Sequence, residues 1–138
     1  MDANEVMSFI TENPLCFIST SVDNQPRVRA VTAFRADKNG IVFITGTQKD
    51  VNKELNANPK VEMCFFSPDR YVQLRVSGEI QKLEDDNLKK EILDKFSFLK
   101  PVADLHGLAA FTVWRLASGM ATCWDQEDPY ATKEFIDL

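Results

Sequence analysis

The sequence predicts a mainly β fold, an antiparallel barrel of six or seven strands with short helices at its periphery. Three observations predict it. Runs of β-branched and aromatic residues are separated by tight turn signals, so hairpin connections dominate. The intervals between most runs are too short for crossover helices, which argues against a βαβ architecture. Tyr71–Leu83 alternates cleanly, with Val72, Leu74, Val76, Gly78 and Ile80 on one face and Gln73, Arg75, Ser77, Glu79 and Gln81 on the other.

The elements follow in order. Asn4–Glu12 reads as a helix, with Val6, Phe9 and Ile10 on one stripe and Asp2 or Asn4 as cap. Leu15–Ser21 is a strand, Asp23–Pro26 a turn, and Arg27–Phe34 the returning strand. Asp37–Gly40 is a second turn with an Asn-Gly pair, and Ile41–Thr45 the third strand. Residues 49–58 form a short helix, in which Val51 and Leu55 share one face and Lys49 and Lys53 another, stopped by Asn58-Pro59. Val61–Ser67 and Tyr71–Leu83 are the fourth and fifth strands, and Gly78 marks a bulge or bend in the latter. Asp85–Phe96 is an amphipathic helix with Leu88, Ile92, Leu93 and Phe96 inward. Ser97–Gly107 reads as irregular, with Pro101 and Gly107 as breakers. Leu108–Leu116 and Met120–Trp124 are the last strands, and the tail from Asp125 takes no assignment.

The bulk properties set limits on function. A chain of 138 residues with ten Phe is expected to form one domain, 1–138, with a substantial core. A net charge of −5 argues against a nucleic-acid surface. No run approaches the roughly 18 apolar residues of a membrane span, and the acidic start is wrong for a secretory leader. Cys16, Cys64 and Cys123 are widely spaced and odd in number, which points to free thiols in a reducing cytoplasm.

Residues 44–59 carry the main chemical signal. A strand end, a turn rich in Thr and a helix start offer hydroxyls, free N–H groups and partial positive charge, and Lys49 and Lys53 add full charges. The pattern fits a phosphate site; it also fits a connector helix with a solvated Lys face. Arg29 and Arg75 lie on apolar strands and either reach solvent at a sheet edge or bind an anion. His106 is the lone histidine and has no triad context. Asp125, Glu127 and Asp128 read as a solvated acidic loop rather than a cation site. Trp114 fits core packing, whereas Trp124, at a strand end, is open enough to stack on a flat ring.

In this order, Gln25–Val31, Asn39–Thr45, Thr47–Leu55, Asn58–Val61 and Val76–Glu79 resemble the pyridoxamine 5′-phosphate oxidase-like, FMN-binding split-barrel superfamily. The similarity is greatest to its small members, related to general stress flavoproteins and nitroimidazole-resistance proteins. It covers about residues 14–83 well. It implies a split β-barrel and a homodimer with FMN at the subunit interface. By position, Arg29 would meet the phosphate or the polar edge of the ring, Val28, Ala30 and Val31 would lay backbone against the isoalloxazine, and Arg27 is a further cofactor-binding candidate beside them. Thr45 would bond the ring or ribityl chain, and Thr47, Lys49 and Lys53 would hold the phosphate. Trp124 completes the set of cofactor-binding candidates.

Three departures separate the chain from the true oxidases. Phe34 stands where they carry a Lys, Lys49-Asp50-Val51 replaces their Ser-Arg-Lys phosphate signature, and their C-terminal Arg-x-His element is absent after Trp114. The resemblance therefore implies a flavoprotein other than a pyridoxamine 5′-phosphate oxidase. It would pass hydride or electrons from a small-molecule donor to a small acceptor, with no catalytic acid or base legible. The alternatives on the same dimeric barrel are a non-enzymatic flavin- or haem-binding sensor, for which His106 is the one available imidazole, and a deazaflavin-dependent reductase.

Overall fold

The computed structural model describes residues 1–138. The chain forms α1 (Ala3–Glu12), β1 (Leu15–Val22), β2 (Gln25–Thr32), β3 (Arg35–Asp37), β4 (Gly40–Gly46), α2 (Asp50–Ala57), β5 (Lys60–Ser67), β6 (Val72–Leu83), α3 (Asp86–Lys95), α4 (Lys100–His106), β7 (Phe111–Leu116), β8 (Met120–Asp125) and β9 (Ile136–Asp137). Every strand pairing is antiparallel. The hydrogen-bonded order is β2-β1-β5-β6-β7-β4-β3, with β8 also on β6 and β9 on β8. The two ends of that order, β2 and β3, do not pair with each other. The barrel is open along this seam, and a mainly β fold with peripheral helices results.

Local chemistry explains the elements. Asp2 caps α1 in a capping box, its side chain accepting from the Glu5 N–H at 2.9 Å while Glu5 accepts from the Asp2 N–H at 2.7 Å. The β1–β2 hairpin closes over Asp23 and Asn24, at φ 53° and 61°, a conformation these two residue types tolerate better than most. Asp85 caps α3 by accepting from the Leu88 N–H at 2.9 Å.

The long strand β6 is the spine. Along one edge it pairs with β5. Along the other it pairs first with β8, over Val72–Ser77, and then with β7, over Ile80–Leu83. The change of partner falls at Gly78, where a Cβ would stand 2.7 Å from the Ser118 carbonyl oxygen. The bend expected at this glycine is thus the seat of the β7–β8 turn. The last two long strands do not pair with each other; both use β6.

The barrel interior holds Ile18, Phe43, Phe65, Leu74, Val76 and Trp114, closed at its ends by Val6, Phe9 and Ile10 of α1 and by Val51 and Leu55 of α2. A second, smaller cluster of Phe34, Val42, Ile92 and Val113 lies under α3. The strand β4 is therefore covered on both faces, which is why Ile41-Val42-Phe43 reads as an unbroken apolar run. Cys16 is wholly buried, and its thiol is pushed up to about 12 by desolvation, with Cys64 nearby adding to it; all three thiols are free.

Three expectations need correction. The strands number nine, because the chain kinks at Ala33-Phe34 and resumes as the three-residue β3, and because the unassigned tail adds β9. Ser97–Gly107 is largely helical: a 3-10 turn over Ser97–Leu99 runs into α4. Pro101 sits in the first turn of α4, where no intrahelical N–H is needed, so it opens that helix instead of breaking it. No helix is long and apolar enough to cross a membrane.

Candidate functional site

The open seam holds a cleft of about 260 Å³. Its floor is β2 from Arg29 to Thr32 and the end of β4 from Ile44 to Gly46. The start of α2 contributes Lys49 and Val51, and the 3-10 turn brings Phe96, Phe98 and Leu99, with Phe111 behind them. One side of the cleft is thus apolar and partly aromatic, as a flat conjugated ring requires, and the other is cationic.

The cationic end is built by α2. Lys49 is the N-cap residue of this helix and makes no side-chain cap bond. Its aliphatic stem lies over Gly46, whose absent side chain leaves room: a Cβ there would come within 3.4 Å of Lys49 Cγ. Lys49 has no carboxylate partner, so its ammonium is free to meet an anion at a helix start that carries partial positive charge.

Arg29 reaches the same cleft from β2, with its side chain 23% exposed. Its guanidinium is already engaged. One terminal nitrogen donates to Glu54 Oε2 at 2.8 Å, and the other to Thr20 Oγ1 at 2.9 Å and to the Ile18 carbonyl at 3.5 Å. The Thr20 hydroxyl donates to Glu54 Oε1 at 3.1 Å, closing a ring of three side chains. Arg27 Nε stands 3.6 Å from Glu54 Oε1, so two arginines share one buried carboxylate.

Two threonines of the turn also have partners within the chain. Thr45 accepts from Trp114 Nε1 at 3.0 Å and donates to Asn52 Oδ1 at 3.3 Å. Thr47 donates to the Ala109 carbonyl at 2.9 Å and lies 2.9 Å from Thr112 Oγ1. They tie the β4–α2 turn to β7 and the segment before it.

Of the residues the sequence singles out, Arg29, Ala30, Val31, Thr45 and Lys49 meet in the cleft. Arg27 stands beside it on Glu54, while Val28 points outward and is 67% exposed. Lys53 is exposed on α2, and Trp124 lies on β8, edge-on to Tyr71 with ring centroids 6.3 Å apart; neither lines the cleft. His106 is exposed at the end of α4 and does not line it either. Phe34 is buried under α3, edge-on to Phe96 and 5.3 Å from the Lys95 ammonium. Sequence reading missed Glu54 and Thr20. The signal for Glu54 was its place three residues after Val51, on the inward face of α2, where a charge needs a partner. A larger hollow, about 460 Å³, lies beside α3, but Asp37, Glu84, Asp85 and Glu91 line it against Arg35 and Arg115, a poor setting for an anion.

Comparison with known proteins agrees with this architecture. A pyridoxine/pyridoxamine 5′-phosphate oxidase from Pelagibacter ubique is 33% identical over 73 residues, covering 53% of this chain and 35% of that protein. The chain thus spans about a third of the length of this curated relative. Among solved structures, a NimC/NimA family protein from Clostridium acetobutylicum superposes with a TM-score of 0.78 at 21% identity, covering 97% of this chain and 90% of that one. A haem-binding protein from Mycobacterium smegmatis gives 0.73 at 15% identity, over 96% of this chain and 56% of that one. A pyridoxamine 5′-phosphate oxidase-related, FMN-binding protein from Nostoc punctiforme gives 0.66 at 15% identity, over 97% and 94%. At these identities the superpositions establish the fold. The family model described as pyridoxamine 5′-phosphate oxidase matches residues 3–124, nearly the whole barrel and every wall of the cleft, and the chain belongs to that family.

Proposed function

We propose that this chain is an FMN-binding flavoprotein, an oxidoreductase that passes hydride or electrons between a small-molecule donor and a small acceptor. The observation that carries the reading is the cleft in the open seam. Lys49 stands unpaired at an uncapped helix start at one end, and Phe96, Phe98, Leu99 and Phe111 form an apolar wall at the other. FMN has a phosphate at one end and a tricyclic ring at the other, and its ring supplies the redox chemistry when bound. Lys49 and the start of α2 hold the phosphate, and backbone from Arg29 to Thr32 lies along the ring. The aromatic wall excludes water from its face.

A homodimer with the cofactor at the interface is part of the reading. The outer sheet face leaves Leu15 and Phe17 of β1, Val28 of β2, Phe66 of β5 and Trp124 of β8 between 37% and 67% exposed. Apolar residues grouped in this way on paired strands suit cover by a second copy. A cytoplasmic location fits three free thiols. Of the alternatives, the haem reading rests on His106, which does not line the cleft, and that weighs against it.

The test is the visible absorption spectrum of the purified protein after FMN is added and the excess removed. Retained oxidised-flavin bands at about one per chain are expected, with a dimer mass by light scattering. Lys49→Ala should raise the Kd for FMN about tenfold or more, the loss of one charge-assisted contact. Unchanged affinity in that variant would remove Lys49 from the phosphate site.

A further inference from the structure

We propose that Glu54, which does not line the cleft, sets the ligand charge that the cleft accepts: by holding the Arg29 guanidinium, it lowers affinity for a phosphate dianion relative to the same ring without phosphate. The inference rests on the flavin reading and deepens it by naming what governs selectivity at that site.

The geometry supports this in three steps. Glu54 is nearly buried, its side chain 11% exposed, so its charge acts on Arg29 with little solvent screening. Two hydrogen bonds fix the carboxylate, from Arg29 at 2.8 Å and Thr20 at 3.1 Å, and Arg27 Nε adds an ion pair at 3.6 Å. Arg29 is the one member of the network that lines the cleft, and its partner inside the protein is of the same chemical class as the ligand group it would otherwise grip. An incoming phosphate must then share Arg29 with an anion already in place. Lys49 has no such partner, so it is the unopposed cation of the cleft. A neutral ring edge faces no such competition, since a guanidinium bonded to a carboxylate keeps unused N–H donors for neutral acceptors. Glu54 is accordingly a positioning residue acting through Arg29.

The experiment uses two ligands that differ only at the phosphate, FMN and riboflavin, titrated into the 138-residue protein by flavin fluorescence. In the unmodified protein the riboflavin-to-FMN ratio of Kd values should be about tenfold, the effect expected of one cationic anchor. Glu54→Gln keeps an oxygen to accept from Arg29, turns its amide N–H toward the Thr20 hydroxyl oxygen, and removes the charge. It should tighten FMN about tenfold while moving riboflavin less than about twofold, and steepen the salt dependence of FMN binding. Adding Arg29→Gln to that variant should abolish the gain. A merely structural Glu54 would shift both flavins together, and that result overturns the proposal, as does any weakening of FMN alone. If Glu54→Gln does not fold, the ratio in the unmodified protein decides: a value above about a hundredfold overturns the proposal. Failure of the underlying flavin reading has a different signature, because then neither ligand binds either protein.

Discussion

Two helices continue from segments that line the cleft, α2 from Lys49 and α4 from Leu99, and they are built on opposite terms. The eight-residue α2 sends Val51, Asn52, Glu54 and Leu55 inward, all at most 9% exposed, and Leu55 is part of the barrel core. The seven-residue α4 buries nothing, and Val102 and Leu105 are 43% and 77% exposed on it, next to Phe98 at 76%. Its ties are local: the Lys100–Asp94 ion pair at 3.5 Å and the Lys89 ammonium donating to the Leu108 carbonyl at 3.3 Å. The side of the cleft that holds Lys49 is therefore fixed by the core through α2. The side that holds Phe98 and Leu99 leads into a helix that buries nothing. A site made this way can hold a charged end rigidly while its ring-facing side adjusts to what enters.

The largest test of the contrast is Leu55→Ala. Removing three carbons from a 1% exposed core position should cost about 2–5 kcal/mol in chemical denaturation and loosen FMN binding with it. A loss below about 1 kcal/mol would mean that α2 is no more anchored than α4. Thr45→Val sharpens the picture at an intermediate level. It leaves the buried indole N–H of Trp114 with no acceptor, which should cost about 1–3 kcal/mol and shift tryptophan emission. The smallest effect belongs to Leu105→Ala, within about 0.5 kcal/mol, since that side chain touches little. Hydrogen exchange adds a direct reading: amides of α4 should exchange far faster than those of α2 and gain protection on FMN binding. Equal protection of the two helices in the free protein would end the distinction.

This contrast also explains what could be read in advance. The anchored parts were legible. Alternation in β6 reports one buried face, and the Val51–Leu55 spacing reports the inward side of α2, because burial imposes a period on sequence. Turn chemistry pointed to Thr45 and Lys49 as an anion site, and the family resemblance implied that Arg29 joins them; the three do meet in one cleft. The hidden parts lacked such a period. In α4 the apolar residues are exposed, and Pro101 resembles a stop signal when its place in the first turn is unknown. Glu54 was hidden for a different reason. Its partner Arg29 is 25 residues earlier, and only the packing of α2 against β1 brings the two together. Val28, Lys53 and Trp124 illustrate the limit of position-based expectation: they neighbour the right residues in sequence but face away from the cleft or lie across the sheet.

The shared edge of β6 has a consequence for how this chain must fold. β1, β2 and β5 reach the rest of the sheet through Val72–Glu79, and β7, β4 and β3 through Ile80–Leu83. Neither side of the barrel can close before this one strand is in place. Because side chains alternate along it, a slip of one residue would turn the inward residues of both sides outward at once. Gly78, locked under Ser118, is the point that fixes the register for both. During synthesis the first seventy residues can make hairpins but no barrel, and the seam that later becomes the cleft is the last part to acquire its walls, since Phe96 to Phe111 follow β6 in the chain.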